Sequence, residues 1–175
     1  MGYANTAREV RKILRDEEIL IDNRVIKNPK FPVGVMDIIN IKSKNEYFIL
    51  FINSNNKYQL KKINNEESKL KLCKIINKKT LKKRITQLNL YDGRNVLVEK
   101  DNYKPGDTII LDLKNNKINS HLKLEKNAFV YIIGGKYIGS IGRVENITER
   151  KGLQVAKILI KIGEKRGLAI MIISA

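Results

Sequence analysis

The chain has 175 residues, 42% hydrophobic and 30% charged, and its 35 lysines and arginines against 18 acidic residues leave a net charge of +17. Such a composition can bury a core, which excludes a disordered chain, and no run of about 18 apolar residues offers a spanning helix. The N-terminus MGYANTAREVRK lacks the apolar stretch of a secretory signal, so the expected partner of the excess charge is a nucleic acid in the cytoplasm, with no membrane involved.

Residues 5–17, NTAREVRKILRDE, predict a helix. Asn5 and Thr6 are N-cap candidates and Glu9 can complete a capping box. Helical spacing gathers Ala7, Val10, Ile13 and Leu14 on one side, to be packed, and Arg8, Arg11, Lys12 and Arg15 in a stripe on the other, to stay wet. ILIDNRVIKNP then predicts two short strands around Asp22-Asn23, because asparagine tolerates the left-handed backbone of a tight turn. KFPVGVMDIINI ends in a further strand.

From Glu46 to Leu124 the apolar period is two, with turn punctuation: YFILFI and KYQLKKI flank NSNN, ITQLNL and NVLVEK flank YDGR, and DTIILDL follows Lys104-Pro105-Gly106. NNEESKLKL, residues 64–72, predicts a short helix capped by Asn64 or Asn65. FVYII, RVENI, VAKILIKI and LAIMIISA predict the strands of a last small barrel, in which KRGLAIMIISA is an unusual closing segment. Strands without strand–helix alternation argue for small barrels or sandwiches over a parallel sheet. The single cysteine, Cys73, excludes an internal disulfide and a cysteine-clustered zinc site and reads as a core residue.

Three constellations could carry chemistry. The loop IIGGKYIGSIGRVENI, residues 132–147, matches neither nucleotide fingerprint: Gly135-Lys136 is followed by Tyr137 instead of Ser or Thr and a helix, and Gly139 and Gly142 lack the glycine a dinucleotide loop needs two residues upstream. Its glycines are expected to supply positive φ in a strand connection, and whether Lys136, Tyr137 and bare amides also touch phosphate stays open. The run INKKTLKKRITQ, with Lys78, Lys79, Lys82, Lys83 and Arg84, is either a solvated turn or a phosphate-contacting loop; the overall charge favours the latter. Arg94, in the Asp92-Gly93 turn, is a weaker candidate that could simply pair with Asp92. His121, the only histidine, has no cysteine, serine–acid pair or metal-spaced partner and is expected to take a surface or barrel-packing role; Asp107 and Asp112 read as strand-end and solvent-face residues. No catalytic residue, cofactor, metal or small-molecule substrate is expected.

VYIIGGKYIGSIGRVENI resembles a KOW motif, the small β-barrel element of ribosomal and elongation proteins, in its apolar strand, its Gly134-Gly135 pair, Gly139, Gly142 and Val144. AREVRKILRDEEILIDNRVIKNPKFPVGVMDII is similar to the RNA-binding fold named after bacterial ribosomal protein S-four, whose basic helix and paired-strand loop bind RNA. Arg8, Arg11, Lys12 and Arg15 match that helix, and Lys27 and Lys30 fall in the strand loop. Glu18 and Asn23 stand where that family prefers glycine, and Glu18 is expected to loosen the helix end. With LYDGRNVLVEKDNYKPGDTIILDL between these modules, residues 3 to about 150 resemble the archaeal and eukaryotic type of small-subunit ribosomal protein number four.

The resemblance implies a mainly β protein with a short N-terminal α/β module: an S-four-type module over 1–43, a central β domain over 44–125, and a KOW-type barrel over 126–175. It implies no enzyme but a ribosomal protein that binds small-subunit rRNA beside neighbouring ribosomal proteins. The family carries a basic arm and a further helix ahead of the first one here, so Val10, Ile13 and Leu14 are expected to lack part of their packing partner. A free KOW-containing translation or transcription factor is the nearest rival. An RNA-modifying enzyme is the other, and it would need a catalytic domain that the β hairpins do not offer.

Overall fold

The structure, a computed structural model, describes residues 2–99, 101–148, 157–163 and 170–172. The chain divides into two compact units, one of residues 1–51, 58–71 and 112–115, the other of residues 52–57, 72–111 and 116–175. Among the described residues it is mainly β with one α-helix, near the N-terminus, as the sequence implies.

In the first unit α1 runs over Ala7–Arg15. Thr6 Oγ1 accepts from Glu9 N (3.3 Å), satisfying one orphan amide of the helix, and the Glu9 carboxylate reaches back to Asn5 N (2.8 Å), one residue before the cap, in a variant of the expected capping box. The Asn5 amide, and after it the Thr6 hydroxyl, hold the Glu9 carboxyl below its ordinary value. Leu14 is buried against Ile21 and Ile26, Ile13 is half-buried, and Val10 stays 37% exposed, lining an open groove with Ile19, Ile39 and Ile41.

The helix ends otherwise than expected. Glu17 N donates to Leu14 O and Glu18 N to Ile13 O, the paired bonds of a Schellman ending, and Glu17, not Glu18, takes the left-handed position (φ 57°). Glu18 is engaged: its carbonyl accepts from Lys42 N (2.9 Å) and its carboxylate from Ser43 N (2.9 Å). The helix end is therefore tied to the chain at Lys42 and Ser43.

Strands β1 (Ile19–Ile21) and β2 (Arg24–Val25) form the predicted hairpin, with Asp22 and Asn23 both at positive φ (49° and 63°). With β3 (Ile38–Ile41), β4 (Glu46–Ile52) and β5 (Tyr58–Ile63) they make a sheet of order β2-β1-β3-β4-β5.

The expected helix over 64–72 is absent. Only a 3₁₀ turn forms at Glu67–Lys69, and Leu70 opens β6 (Leu70–Thr80), the longest strand. Lys71, Cys73 and Ile75 all point inward, so the period-two alternation of KLKLCKI outweighs the helix-start signal before it.

In the second unit β6 joins β7 (Thr86–Leu90), β8 (Asn95–Val98), β9 (Thr108–Asp112) and β10 (Lys117–Leu122) in a sheet of order β10-β9-β6-β7-β8. Its core is Cys73, Ile75, Leu88, Leu90, Ile109 and Leu111. A second sheet, of order β13-β12-β11-β14, holds β11 (Phe129–Ile132), β12 (Ile141–Thr148), β13 (Lys157–Ile162) and β14 (Ile170–Ile172) around Val130 and Val144. The β11–β14 pairing is parallel and the others described in this sheet are antiparallel. The ends of the predicted last strands, residues 155–156, 168–169 and 173–175, lie outside the described residues.

Candidate nucleic-acid interface

On α1 the side chains of Arg8, Arg11, Lys12 and Arg15 are all exposed, and among the described residues none makes a salt bridge. The helix amphipathicity concentrates them on one face, so four full charges project from one rigid element into water. Lys12 and Arg15 also lie in the last turn, where the helix dipole favours cations. Asn5 and Thr6 serve the cap, leaving Thr6 Oγ1 as an acceptor already in use.

The strand loop contributes less than its sequence offers. Lys27 Nζ lies 2.6 Å from Glu17, which pulls that carboxyl down, whereas Lys30 is exposed and uses only its backbone N–H, bonded to Asn28 Oδ1 (2.9 Å).

The basic run over 76–87 is half strand. Lys78 and Lys79 stand on β6 opposite Leu88 and Gln87, and only Lys82, Lys83 and Arg84 occupy the 3₁₀ turn to β7. Lys78 Nζ is held by both Asp101 carboxylate oxygens (2.8 Å each) and Tyr103 O (3.1 Å), so its charge is largely spent inside the unit. Lys79, Lys82 and Arg84 are exposed; the side chain of Lys83 lies outside the described residues. Arg94 pairs with Asp92, Nε to carboxylate 3.3 Å, with its backbone N–H on the same carboxylate (3.1 Å).

In the glycine loop, Gly135 (φ 81°) and Gly139 (φ 76°) take positive φ as expected, whereas Gly134 and Gly142 do not, Gly142 lying within β12. Close packing also requires glycine at two positions: a Cβ at Gly139 would lie 2.2 Å from the Asn53 backbone carbonyl, and one at Gly142 would lie 2.5 Å from Ile160 and 2.7 Å from Lys161 O. Gly134 is half-buried, while Lys136 and Tyr137 stand at the exposed tip, the ammonium 5.7 Å from the ring centroid.

His121 does pack: Nε2 lies 2.8 Å from Asp107 Oδ2 and its ring sits 4.7 Å from that of Tyr103. Asp107, at the strand end just before β9, is a buried brace, accepting also from Lys104 N (3.0 Å) and Leu124 N (2.9 Å). Asp112 braces the next turn through Lys114 N and Asn115, which lower its carboxyl's pKa. Among the described residues no group of three metal-ligating side chains occurs, and no helix is long and apolar enough to cross a membrane.

One cluster escaped the sequence reading. In the first unit Lys71 is 2% exposed, its Nζ lying 2.5 Å from Asp22 Oδ2 and 2.6 Å from Asp37 Oδ1. Asp22 also accepts from Ile38 N (3.0 Å) and Asp37 from Gly34 N (2.6 Å). Burial alone would push the Lys71 ammonium's pKa down, but the two carboxylates together outweigh it and raise it. The triad pins the β1–β2 hairpin and the loop before β3 to the start of β6. The legible signal was parity: Lys71 shares the strand face of Cys73 and Ile75.

The model of "Ribosomal family S4e" matches residues 44–118, and that of the "S4 domain" matches residues 1–39. Small ribosomal subunit protein eS4 of Methanocaldococcus jannaschii is 37% identical over 161 residues, covering 87% of this chain and 65% of the relative. That of Staphylothermus marinus is 37% identical, covering 95% of this chain and 69% of its own length. This chain thus spans about two thirds of the length of these relatives. The crystal structure of the 30S ribosomal protein S4e from Thermoplasma acidophilum superposes with a TM-score of 0.76 at 25% identity, covering 89% of this chain and 81% of that one. The chain belongs to the S4e family of ribosomal proteins.

Proposed function

We propose that this chain is a non-catalytic constituent of the small ribosomal subunit, holding folded rRNA by phosphate neutralisation from rigid basic surfaces and supporting subunit assembly and translation in the cytoplasm. The observation that carries this reading is the α1 stripe: four exposed cations that make no salt bridge among the described residues, on a helix capped at both ends. Fixed cations release the counterions condensed on nucleic acid, and they read the shape of folded RNA more than its sequence. Lys30, Lys79, Lys82, Arg84 and Lys136 would add phosphate contacts. Lys27, Lys78 and Arg94 would add least, because each already holds a carboxylate. Neighbouring ribosomal proteins are the other partners. The working division is an S-four-type module over 1–43, a central domain over 44–125 and a KOW-type barrel over 126–175.

Sucrose-gradient sedimentation of tagged protein in a lysate of its own source, with a nuclease-treated control, tests this. Comigration with the small subunit that survives moderate salt is expected; protein that stays at the top of the gradient would refute residency. In binding to purified small-subunit rRNA, charge reversal of Arg8, Arg11 and Arg15 should reduce the slope of log K against log salt by roughly 3, at about 0.9 per lost contact. Reversal of Lys161 on β13 should cost less, and equal losses would mean that α1 is not the RNA face.

A further inference from the structure

The loop between β4 and β5, NSNNK over 53–57, reads in the sequence as a plain turn, yet in the second unit it lies backbone to backbone with the glycine loop. Tyr131, on β11, clamps its entrance: the phenol accepts from Ile52 N (2.9 Å) and donates to Ile52 O. Burial, which dominates, pushes this phenol's pKa up. A side chain at residue 139 would collide with the backbone of Asn53 at 2.2 Å and of Ser54 at 2.5 Å, so the approach exists only because residue 139 is glycine.

Each loop is braced from within, leaving its outer groups unused. Asn53 Oδ1 accepts from Asn55 N and Lys57 N (3.0 Å each), and Asn53 N donates to Lys57 O (2.9 Å). Across the gap Gly139 N donates to Ile132 O (2.7 Å) and Ser140 N to Tyr137 O (3.2 Å). Among the described residues the N–H groups of Ser54, Gly135, Lys136 and Tyr137 make no hydrogen bond to the protein. The side chains of Ser54, Asn55, Asn56, Lys57, Lys136 and Tyr137 are exposed, Tyr137 at 54%, and neither loop contains a carboxylate.

We propose that these two loops form one RNA-contact surface, with Ser54, Asn55, Asn56 and Lys57 as its second half. Two ammoniums and unused amides suit a backbone phosphate. The carboxamides both donate and accept, which suits ribose 2′-hydroxyls and base edges, and the exposed Tyr137 ring can stack on an unpaired base. This surface rests on the reading of the chain as an rRNA binder and extends it to a loop that reading did not include.

The test is hydroxyl-radical footprinting and filter binding of the full chain on small-subunit rRNA from Methanocaldococcus jannaschii. The variants are Asn55→Ala/Asn56→Ala/Lys57→Glu, Lys136→Glu, Tyr137→Ala and, as reference, Arg8→Glu/Arg11→Glu/Arg15→Glu. All alter exposed side chains, and thermal melts confirm that each is folded. The two-loop variants should lose protection over the same or adjoining nucleotides, distinct from those lost by the α1 variant. Each lost cation should reduce the salt slope by about 1, and Tyr137→Ala should weaken binding roughly fivefold or more. If α1-dependent protection persists while the β4–β5 loop variant leaves footprint and slope unchanged, or loses nucleotides remote from those of Lys136→Glu, the joint surface is wrong. If the unmodified chain protects no rRNA, the functional reading itself fails.

Discussion

Replacing Lys71 with methionine, similar in length and uncharged, removes the ammonium that lies 2.5 Å from the Asp22 carboxylate and 2.6 Å from that of Asp37. Asp22 is 8% exposed and Asp37 14%, so both lie too deep for water to replace the ammonium, and each keeps a backbone donor, Ile38 N or Gly34 N. Breaking a buried pair by removing one partner costs about 3–5 kcal/mol, because the surviving charge is left uncompensated. At roughly 2–4 °C per kcal/mol for a chain of this size, the melting temperature should fall by about 6–20 °C. Adding Asp22→Asn and Asp37→Asn removes the stranded charges while keeping their acceptors, and should recover at least half of the loss. Urea unfolding followed by far-ultraviolet circular dichroism gives the free energies. Hydrogen exchange at the amides of Ile38 and Gly34 reports the same loss locally, since those N–H groups donate to the triad. A Lys71→Met protein within about 0.5 kcal/mol of the parent, with both amides still protected, would refute the reasoning, as this is the range of an ordinary surface substitution.

Alkaline pH probes the same triad. A lysine whose folded pKa exceeds its unfolded value keeps its full stabilising contribution below the unfolded value and loses it as pH rises through the folded one. Above the ordinary 10.5 the parent should therefore lose stability faster than Lys71→Met, a comparison in which the tyrosines and Lys74, whose ammonium burial pushes down, largely cancel. Parallel pH profiles would count against the pairing. Glu17→Gly should stabilise by about 1 kcal/mol, because glycine takes the left-handed helix ending without the Cβ clash and the exposed pair with Lys27 contributes little; a lower melting temperature would show that pair to matter more. Gly142→Ala should destabilise by about 1–3 kcal/mol through collision with Ile160 and the Lys161 carbonyl, and an unchanged melt would mean that β13 gives way freely.

Local signals determined much of this protein. The span of α1, its Thr6 cap and its division into a packed and a basic side follow from spacing and capping chemistry, and the Asp22-Asn23 hairpin follows from two residues that accept positive φ. The order of the hairpins and the sequence of motifs sufficed for the family. Other features were set by contacts distant in the chain. Residues 64–72 carry a helix-start signal and a strand alternation together, and the pairing of β6 in its sheet decides for the strand. Lys71 becomes an interior residue only because Asp22 and Asp37, 49 and 34 positions away, meet its ammonium. The glycine loop shows the same limit: positive φ is a local property and was legible, but the need for a bare Cα at 139 comes from the backbone of Asn53. Net charge and helical spacing identify a cationic face from the chain alone, whereas whether a given cation is free or already neutralised, as Lys27, Lys78 and Arg94 are, depends on which carboxylate the fold brings within reach.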